Sequence, residues 1–256
     1  MELNRDYESA AIYKWRKKRK KAFVLFICIV GICFLVTRMV RVEDKTTVKV
    51  HNMHTEQNEK AIRYVASNMI KEDPKIAITF DDGPSPAWTP QLLDGLKERN
   101  VKATFFLIGE NAKNNPELVK REAEEGHLIG NHTYHHVEIT RVPDETAQEE
   151  ILMTNEVITG ITGEEVSYMR PPFGVWQKNL ERKLDVMPVL WTIDPLDWTM
   201  DNEDEIINKV VTQAGENDII LLHDCYESSV NAALRIVDIL QKEGFEFVTV
   251  DELIMN

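Results

Sequence analysis

The sequence predicts an α/β protein with a parallel sheet, preceded by a single transmembrane helix, and three observations lead to this prediction. From Lys75 onward, short β-rich runs alternate with helix-like runs, which is the pattern of βαβ crossovers. Five polar motifs each follow the C-terminal end of a predicted strand, where the active sites of barrels are assembled. Residues 22–37 form an uncharged apolar run with cationic flanks.

Charge divides the chain into a basic N-terminal part and an acidic remainder. Residues 1–41 hold ten Lys/Arg against three Asp/Glu, or +7, and the remainder holds 20 against 40, or −20. The acidic remainder argues against nucleic acid as a partner, because phosphate binding depends on Lys and Arg. The basic part indicates a segment that lies next to a membrane.

The uncharged run Ala22–Thr37 is sixteen residues long, slightly short of the roughly 20 that span a bilayer. Lys21 and Arg38 flank the run and would extend it by snorkelling. The cluster Lys14–Lys21 places the N-terminal tail in the cytoplasm by the positive-inside rule. The alternative is a cleaved signal peptide, but Arg38–Arg41 lacks the small-residue pattern of a cleavage site.

We therefore expect a single-pass protein of the cell membrane with four regions. These are a basic cytoplasmic tail (1–21), a transmembrane anchor (22–41), a polar stalk (42–73) and a main domain outside the cytoplasm (74–256). Two of the three cysteines lie in the anchor, so Cys225 is the one cysteine of the main domain and no disulfide is expected there.

The main domain is expected to alternate strands and helices along its length. The predicted strands are Ile76–Phe80, Ala103–Ile108, His127–Asn131, Val166–Met169, Val189–Ile193, Asp218–Leu222 and Phe245–Val250. The predicted helices are Thr89–Arg99, Pro116–Glu125, Thr146–Ile161, Gln177–Asp185, Glu203–Ala214 and Ala232–Glu243. The five polar motifs are Thr79-Phe80-Asp81-Asp82-Gly83-Pro84, His132-Thr133-Tyr134-His135-His136, Arg170-Pro171-Pro172-Phe173-Gly174, Asp194-Pro195-Leu196-Asp197-Trp198 and Leu221-Leu222-His223-Asp224.

The second motif contains a candidate pair of metal ligands, His132 and His136. Residues four apart on a helical turn share a face, so both imidazoles would reach one ion. Such a pair alone is a weak signal, and it gains weight from the carboxylates at another strand end. Two histidines and one aspartate leave coordination positions for water and substrate, as in catalytic sites. His135 lies off the shared face and is not expected to be a ligand.

The first motif places Asp81 and Asp82 directly after a buried type of strand. An isolated Asp-Asp-Gly-Pro is more often an ordinary turn. At the end of a sheet strand, one carboxylate can instead ligate the metal while its neighbour accepts a proton from water that the metal has made more acidic.

The fifth motif places His223 after an apolar strand. A lone histidine there is more often a packed residue, but beside a metal site an imidazole is a natural acid for a leaving amine. Asp194 or Asp197 would orient it and keep it cationic. Arg170 would pair with the base aspartate, or would only brace its own loop.

The third and fourth motifs contribute candidate substrate contacts. Pro171 and Pro172 stiffen a loop and would present a backbone N–H near Phe173 as an oxyanion donor. Trp198 is either a core residue or, with Tyr134, part of an open groove. An open groove would favour a glycan substrate, whereas a closed pocket would favour a small amide.

The five motifs, in this order, resemble those of the polysaccharide deacetylase family, the carbohydrate esterases with a NodB homology domain. The resemblance covers about Lys75 to Leu253 and implies a deformed (β/α) barrel that removes acetyl groups from N-acetylated sugars. The family's third motif often has Tyr where this chain has Phe173, but the implied role is through the backbone. The roles implied for this chain are base for Asp81, metal ligand for Asp82, His132 and His136, tuning of the base for Arg170, acid for His223, partner of the acid for Asp197 in preference to Asp194, and lining of the acetyl pocket for Leu221.

Together these expectations describe a membrane-anchored, metal-dependent N-deacetylase of cell-envelope glycan, with peptidoglycan favoured over soluble chitin. Zinc is the expected ion, although cobalt or another divalent ion would fit the same ligands. One alternative is a catalytically silent glycan-binding protein on the same fold, and another is an amidohydrolase of a small non-sugar amide. The acid and the base argue against the silent protein, because a binding module needs neither Asp81 nor His223.

Overall fold

The computed structural model describes residues 73–177, 180 and 184–255. The predicted tail, anchor and stalk lie outside the described residues, and so does most of the predicted helix Gln177–Asp185. Within the described part of the chain, every helix is too short or too polar to cross a membrane.

A seven-stranded sheet forms the centre of the described domain, and all of its pairings are parallel. The strands are β1 Lys75–Asp81, β2 Thr104–Leu107, β3 Leu128–Asn131, β4 Tyr168–Met169, β5 Met187–Pro188, β6 Ile219–His223 and β7 Glu246–Phe247. The strand order is β5-β4-β3-β2-β1-β6, and β7 pairs with the start of β1. The predicted parallel sheet is therefore confirmed.

Helices connect most of the successive strands, as parallel pairing requires. The helices are α1 Thr89–Glu98, α2 Gly109–Asn114, α3 Pro116–Glu124, α4 Asp144–Thr162, α5 Glu203–Val211, α6 Glu227–Lys242 and α7 Val250–Met255. Pro90 lies in the first turn of α1, where its missing N–H costs no hydrogen bond. Gly163 ends α4 with a φ of 79°, a conformation that glycine adopts without strain.

One segment, Met187–Ile193, connects the two edges of the sheet. At one end the Val189 N–H donates to Met169 O of β4 at 2.8 Å. At the other end the Leu221 N–H of β6 donates to Ile193 O at 3.0 Å, and Ile193 forms a parallel bridge with Ile220. The segment thereby curls the open parallel sheet into a deformed barrel.

The alternation of side chains along β1 separates the core from the interior of the barrel. Ile76, Ile78 and Phe80 are fully buried in the main apolar cluster, to which α1 and α6 also contribute. Thr79 and Asp81 project to the opposite face. That face carries the buried polar side chains of the site, so the period of two along one strand brings the first aspartate into the barrel.

The predicted last strand, Phe245–Val250, is wrong at its C-terminal end. Only Glu246–Phe247 pair as a strand, and Val250 begins α7. The Thr249 N–H donates to Glu252 Oε2 at 3.2 Å, as in a capping box, and the Thr-x-x-Glu spacing was visible in the sequence. The predicted strand Val189–Ile193 forms a single bridge, because this segment passes from one edge of the sheet to the other.

Candidate active site

Strand register brings the motifs to one edge of the sheet. Asp81 and His223 are directly opposite each other at the ends of β1 and β6. Asn131 and Met169 are likewise paired at the ends of β3 and β4, so the residues that follow them, His132 and Arg170, start from the same level. Four motifs therefore meet because parallel strands end together.

Asp82, His132 and His136 form a cluster in which one ligand atom from each lies within 4.8 Å of the others. Asp82 Oδ1 is 3.3 Å from His132 Nε2 and 3.4 Å from His136 Nε2. The helical turn expected for the two histidines is wrong: residues 132–138 form a loop. The imidazoles converge because Thr133 and His136 have φ values of 60° and 56°, which fold the loop back on itself.

The contacts of His132 fit a bound cation. Its Nδ1 lies 2.7 Å from Arg170 O, and because a carbonyl only accepts, Nδ1 carries the proton. The other ring nitrogen, Nε2, then faces Asp82 Oδ1 at 3.3 Å, a buried oxygen with no hydrogen-bond partner in the described part of the chain. A cation between these two atoms would be a ligand partner for both of them. Two imidazoles and one carboxylate are ligands typical of catalytic zinc.

The protonation states of the cluster also suit an ion. Burial alone raises the pKa of Asp82, but His132, His223 and His136 together bring it below its ordinary value. Burial and the neighbouring His132 lower the pKa of His136. At neutral pH these two side chains are therefore a carboxylate and a neutral imidazole, the forms that bind metals.

Arg170 is fully buried and holds Asp81. Its Nη1 donates to Asp81 Oδ1 at 2.8 Å and to Thr79 Oγ1 at 2.7 Å. The guanidinium also lies over the ring of Phe106, 4.3 Å from the ring centroid. The other oxygen of Asp81 lies 3.9 Å from His132 Nε2. One oxygen of the Asp81 carboxylate is thus bound to the guanidinium of Arg170, while the other faces the cluster of Asp82, His132 and His136.

His223 is bound twice by Asp197. The backbone N–H of His223 donates to Asp197 Oδ2 at 2.8 Å, and the ring nitrogen Nδ1 of His223 lies 2.9 Å from Asp197 Oδ1. Burial lowers the pKa of His223, but Asp197, Asp81 and Asp82 outweigh it and raise the pKa to about 9. The imidazole is therefore protonated at neutral pH. Asp194 instead accepts from the Leu196 N–H at 2.8 Å and closes the turn of its own loop.

The four predicted substrate contacts occupy different environments. Phe173 is 64% exposed and its ring centroid lies 5.0 Å from that of His136, while Trp198 is 54% exposed. Leu221 is buried and lies two residues before His223, hence on the same face of β6. Tyr134 is buried as well, with its ring 4.6 Å from that of His135. The prediction that Tyr134 lines an open groove is wrong, because its ring fills the space beside Gly109.

Tyr226 is a site residue that the sequence analysis missed. Its side chain is 40% exposed, and its ring centroid lies 6.4 Å from that of His223, edge to face. The signal was its position three residues after the histidine at the end of β6. With Phe173 beside His136, it gives the site an exposed aromatic ring next to each of two histidines.

Unusual backbone angles are concentrated at the site. Seven non-glycine residues of the described chain have positive φ, and five of them belong to the motifs: Asp82, Thr133, His136, Phe173 and Leu196. Outside glycine, this region is most accessible to asparagine, aspartate and histidine. Strained backbone at threonine, phenylalanine and leucine persists only where surrounding contacts enforce it, as at functional sites.

Comparison with known proteins agrees with this geometry. The family model for polysaccharide deacetylase matches residues 68–189. A peptidoglycan-N-acetylglucosamine deacetylase of Listeria monocytogenes is 37% identical over 82% of this chain and 46% of its own length, so the chain spans about half of that relative. A peptidoglycan-N-acetylglucosamine deacetylase of Bacillus cereus is 39% identical over 70% of this chain and 68% of its own length. The solved structure of peptidoglycan deacetylase PdaC from Bacillus subtilis is 39% identical, with a TM-score of 0.69 over 71% of this chain and 90% of that one. The chain belongs to the polysaccharide deacetylase family.

Proposed function

We propose that this protein hydrolyses the N-acetyl group of amino sugars in peptidoglycan and that it depends on a divalent metal ion, with zinc expected. The observation that carries the proposal is the arrangement around the Asp82, His132 and His136 cluster. Asp81 is fixed on one side by Arg170, and His223 is held by Asp197 with a pKa of about 9. The relatives named as peptidoglycan deacetylases support the substrate class.

The side chains divide the reaction between them. A divalent ion held by the cluster supplies Lewis-acid activation of water and of the amide carbonyl. Asp81 accepts the proton of the attacking water through the oxygen that Arg170 leaves free. The imidazolium of His223 donates a proton to the amide nitrogen as the carbon–nitrogen bond breaks. The products are acetate and a free amine on the sugar.

The exposed aromatic rings support a glycan as the substrate. Phe173, Trp198 and Tyr226 are all at least 40% exposed. Aromatic rings left in solvent around a polar site offer flat apolar surfaces against which the C–H faces of a sugar can stack. A small amide would not require contacts with three such rings.

The proposal includes the location of the protein. The apolar run and its basic flank favour an anchor at residues 22–41, with the acidic domain outside the cytoplasm next to the cell wall. An enzyme held there acts on wall glycan close to its own membrane.

Mass spectrometry of glycan fragments tests the activity. We expect the full-length chain with zinc to remove about 42 Da per acetyl group from purified peptidoglycan fragments and from an N-acetylglucosamine oligomer. Glucosamine-containing and muramic-acid-containing products identify the sugar. Binding without loss of mass would favour the silent glycan-binding protein, and release of acetate from small amides alone would favour the amidohydrolase. Asp81→Asn is the matched control, because it keeps an acceptor for Arg170 and loses the base.

A further inference from the structure

The loop that carries both candidate histidine ligands is hydrogen-bonded to a buried carboxylate on another element. Glu150 lies on α4 and is only 7% exposed. Its Oε2 accepts from the Tyr134 N–H at 3.0 Å and from the His135 N–H at 2.8 Å. Its Oε1 lies 2.8 Å from His135 Nδ1. A single carboxylate thus contacts three donors of the segment between His132 and His136.

Four other backbone groups in and beside this segment have their own partners. The carbonyls of Thr133 and Tyr134 accept from the first two N–H groups of α2, at 2.9 and 3.0 Å. The Thr133 N–H donates to Asn131 Oδ1 at 2.7 Å, and the Val137 N–H donates to Thr133 Oγ1 at 3.1 Å. Among these described contacts, the Tyr134 and His135 N–H groups donate only to Glu150. The Tyr134 N–H is buried, and a buried N–H without a partner is costly, so the loop depends on that carboxylate.

We propose that Glu150 is a positioning residue for the metal site: it holds the Tyr134 and His135 amides so that the imidazoles of His132 and His136 converge on one ion. The left-handed φ values of Thr133 and His136 are the reason that a clamp is needed. Without the carboxylate of Glu150, a loop with two such residues relaxes towards other conformations, and the two imidazoles no longer converge on one ion. The inference rests on the metal site of the proposed function, and it concerns a residue outside the ligand and acid–base set.

A role in positioning differs from a role in stability alone by its effect on the metal. If Glu150 only stabilised the fold, its loss would lower the melting temperature of the metal-free and metal-loaded protein equally. If it positions the ligands, its loss reduces the increase in melting temperature that the metal causes, because that increase depends on metal affinity. The coordination geometry would also change.

Metal titration of full-length variants tests the proposal. We expect Glu150→Ala to raise the dissociation constant for Zn²⁺ by roughly 10- to 100-fold, the range for lost partners of metal ligands, as measured by competition with a chromophoric chelator. The visible absorption of the Co²⁺-loaded protein should shift, and the metal-dependent gain in melting temperature should shrink. Glu150→Gln should recover most of the affinity, because its amide oxygen can accept from both backbone N–H groups.

Two further variants serve as controls. Glu149→Gln removes an equal charge from the adjacent, exposed position of α4 and should leave Zn²⁺ affinity and the Co²⁺ spectrum unchanged. His135→Ala removes the contact at Glu150 Oε1 and leaves the two backbone contacts, so a smaller loss than for Glu150→Ala is expected.

Equal Zn²⁺ affinity and identical Co²⁺ spectra for wild type and Glu150→Ala would overturn the positioning role and leave the proposed function intact. A wild-type chain that binds neither ion would overturn the metal site itself. Should Glu150→Ala fail to fold, Glu150→Asp decides, because it keeps the charge but ends one methylene short of the loop. Wild-type metal binding by Glu150→Asp would then contradict the proposal.

Discussion

At the scale of single residues, two chemically identical side chains are separated by their contacts. Asp81 has one oxygen on the buried guanidinium of Arg170. Asp82 turns the other way with a φ of 72° and presents a buried oxygen to the two imidazoles. The difference between base and ligand is therefore a difference of backbone angle and partner.

Substitution of the two aspartates should separate the roles. Asp81→Asn keeps an oxygen for Arg170 and should retain the metal, but it should lose roughly 10² to 10⁴ in rate because the base is gone. Asp82→Asn should bind metal more weakly, and excess metal should restore part of its rate. Metal titration and turnover on an N-acetylglucosamine oligomer measure both. If Asp81→Asn lost the metal while Asp82→Asn retained it, the two roles would be exchanged.

The pKa of His223 gives a second prediction at this scale. In the metal-free protein the imidazole should titrate at about 9, above its ordinary value, so it loses its proton only as the pH rises through that value. A bound cation would lower this pKa, so the alkaline loss of activity should begin below 9. Asp197→Asn should lower the pKa measured by NMR much more than Asp194→Asn, because only Asp197 contacts the ring. A wild-type pKa at or below 6.5 would contradict this account.

At the scale of elements, the site depends on how closely the strands approach one another. Gly130 in β3 is buried, and a Cβ there would lie 2.5 Å from a ring atom of Phe106 and 3.0 Å from Tyr168 O. Phe106 also lies under the guanidinium of Arg170. The absence of a side chain at Gly130 therefore allows the packing of Phe106 that supports Arg170.

Two glycine substitutions should act in opposite directions. Gly130→Ala should lower the free energy of unfolding by about 1 to 3 kcal/mol, because the methyl group has no room and one neighbour is backbone. Gly160→Ala lies in α4, where a Cβ would meet nothing within 4 Å, and should raise it by about 0.5 to 1 kcal/mol. Chemical denaturation measures both. An increase in stability for Gly130→Ala would show that β3 can move away from its neighbours.

At the scale of the whole molecule, the segment that closes the sheet and the charges that predict the location of the domain relative to the membrane lie in different parts of the chain. Closure follows from the segment Met187–Ile193, which hydrogen-bonds to β4 and β6 and so brings Arg170 and His223 to one rim. Placement rests on the charge asymmetry of residues 1–41 and the apolar run within them. The basic tail should stay in the cytoplasm and the acidic domain should lie outside.

Protease accessibility tests the placement. Protease added to intact cells without an outer membrane should digest the domain after residue 41 and spare the tail, because the basic cluster Lys14–Lys21 resists translocation. An epitope tag at each terminus reports the two fates. Permeabilised cells are the control, since both termini should then be accessible. Protection of the C-terminal tag in intact cells would rule out the proposed orientation.

The residues alone were enough to predict the alternation of strands and helices, hence the parallel sheet, and to identify the motifs that meet at the ends of β1, β3, β4 and β6. These predictions follow from local hydrophobic periodicity and from the rule that parallel strands end at one edge. Other features of the site depend on contacts between segments that are remote in the sequence. His132 and His136 converge through a loop held by Glu150 on α4, 14 residues beyond the second ligand, and Tyr134 is buried beside Gly109. Such contacts depend on left-handed backbone angles and on distances between remote segments, which residue spacing does not encode.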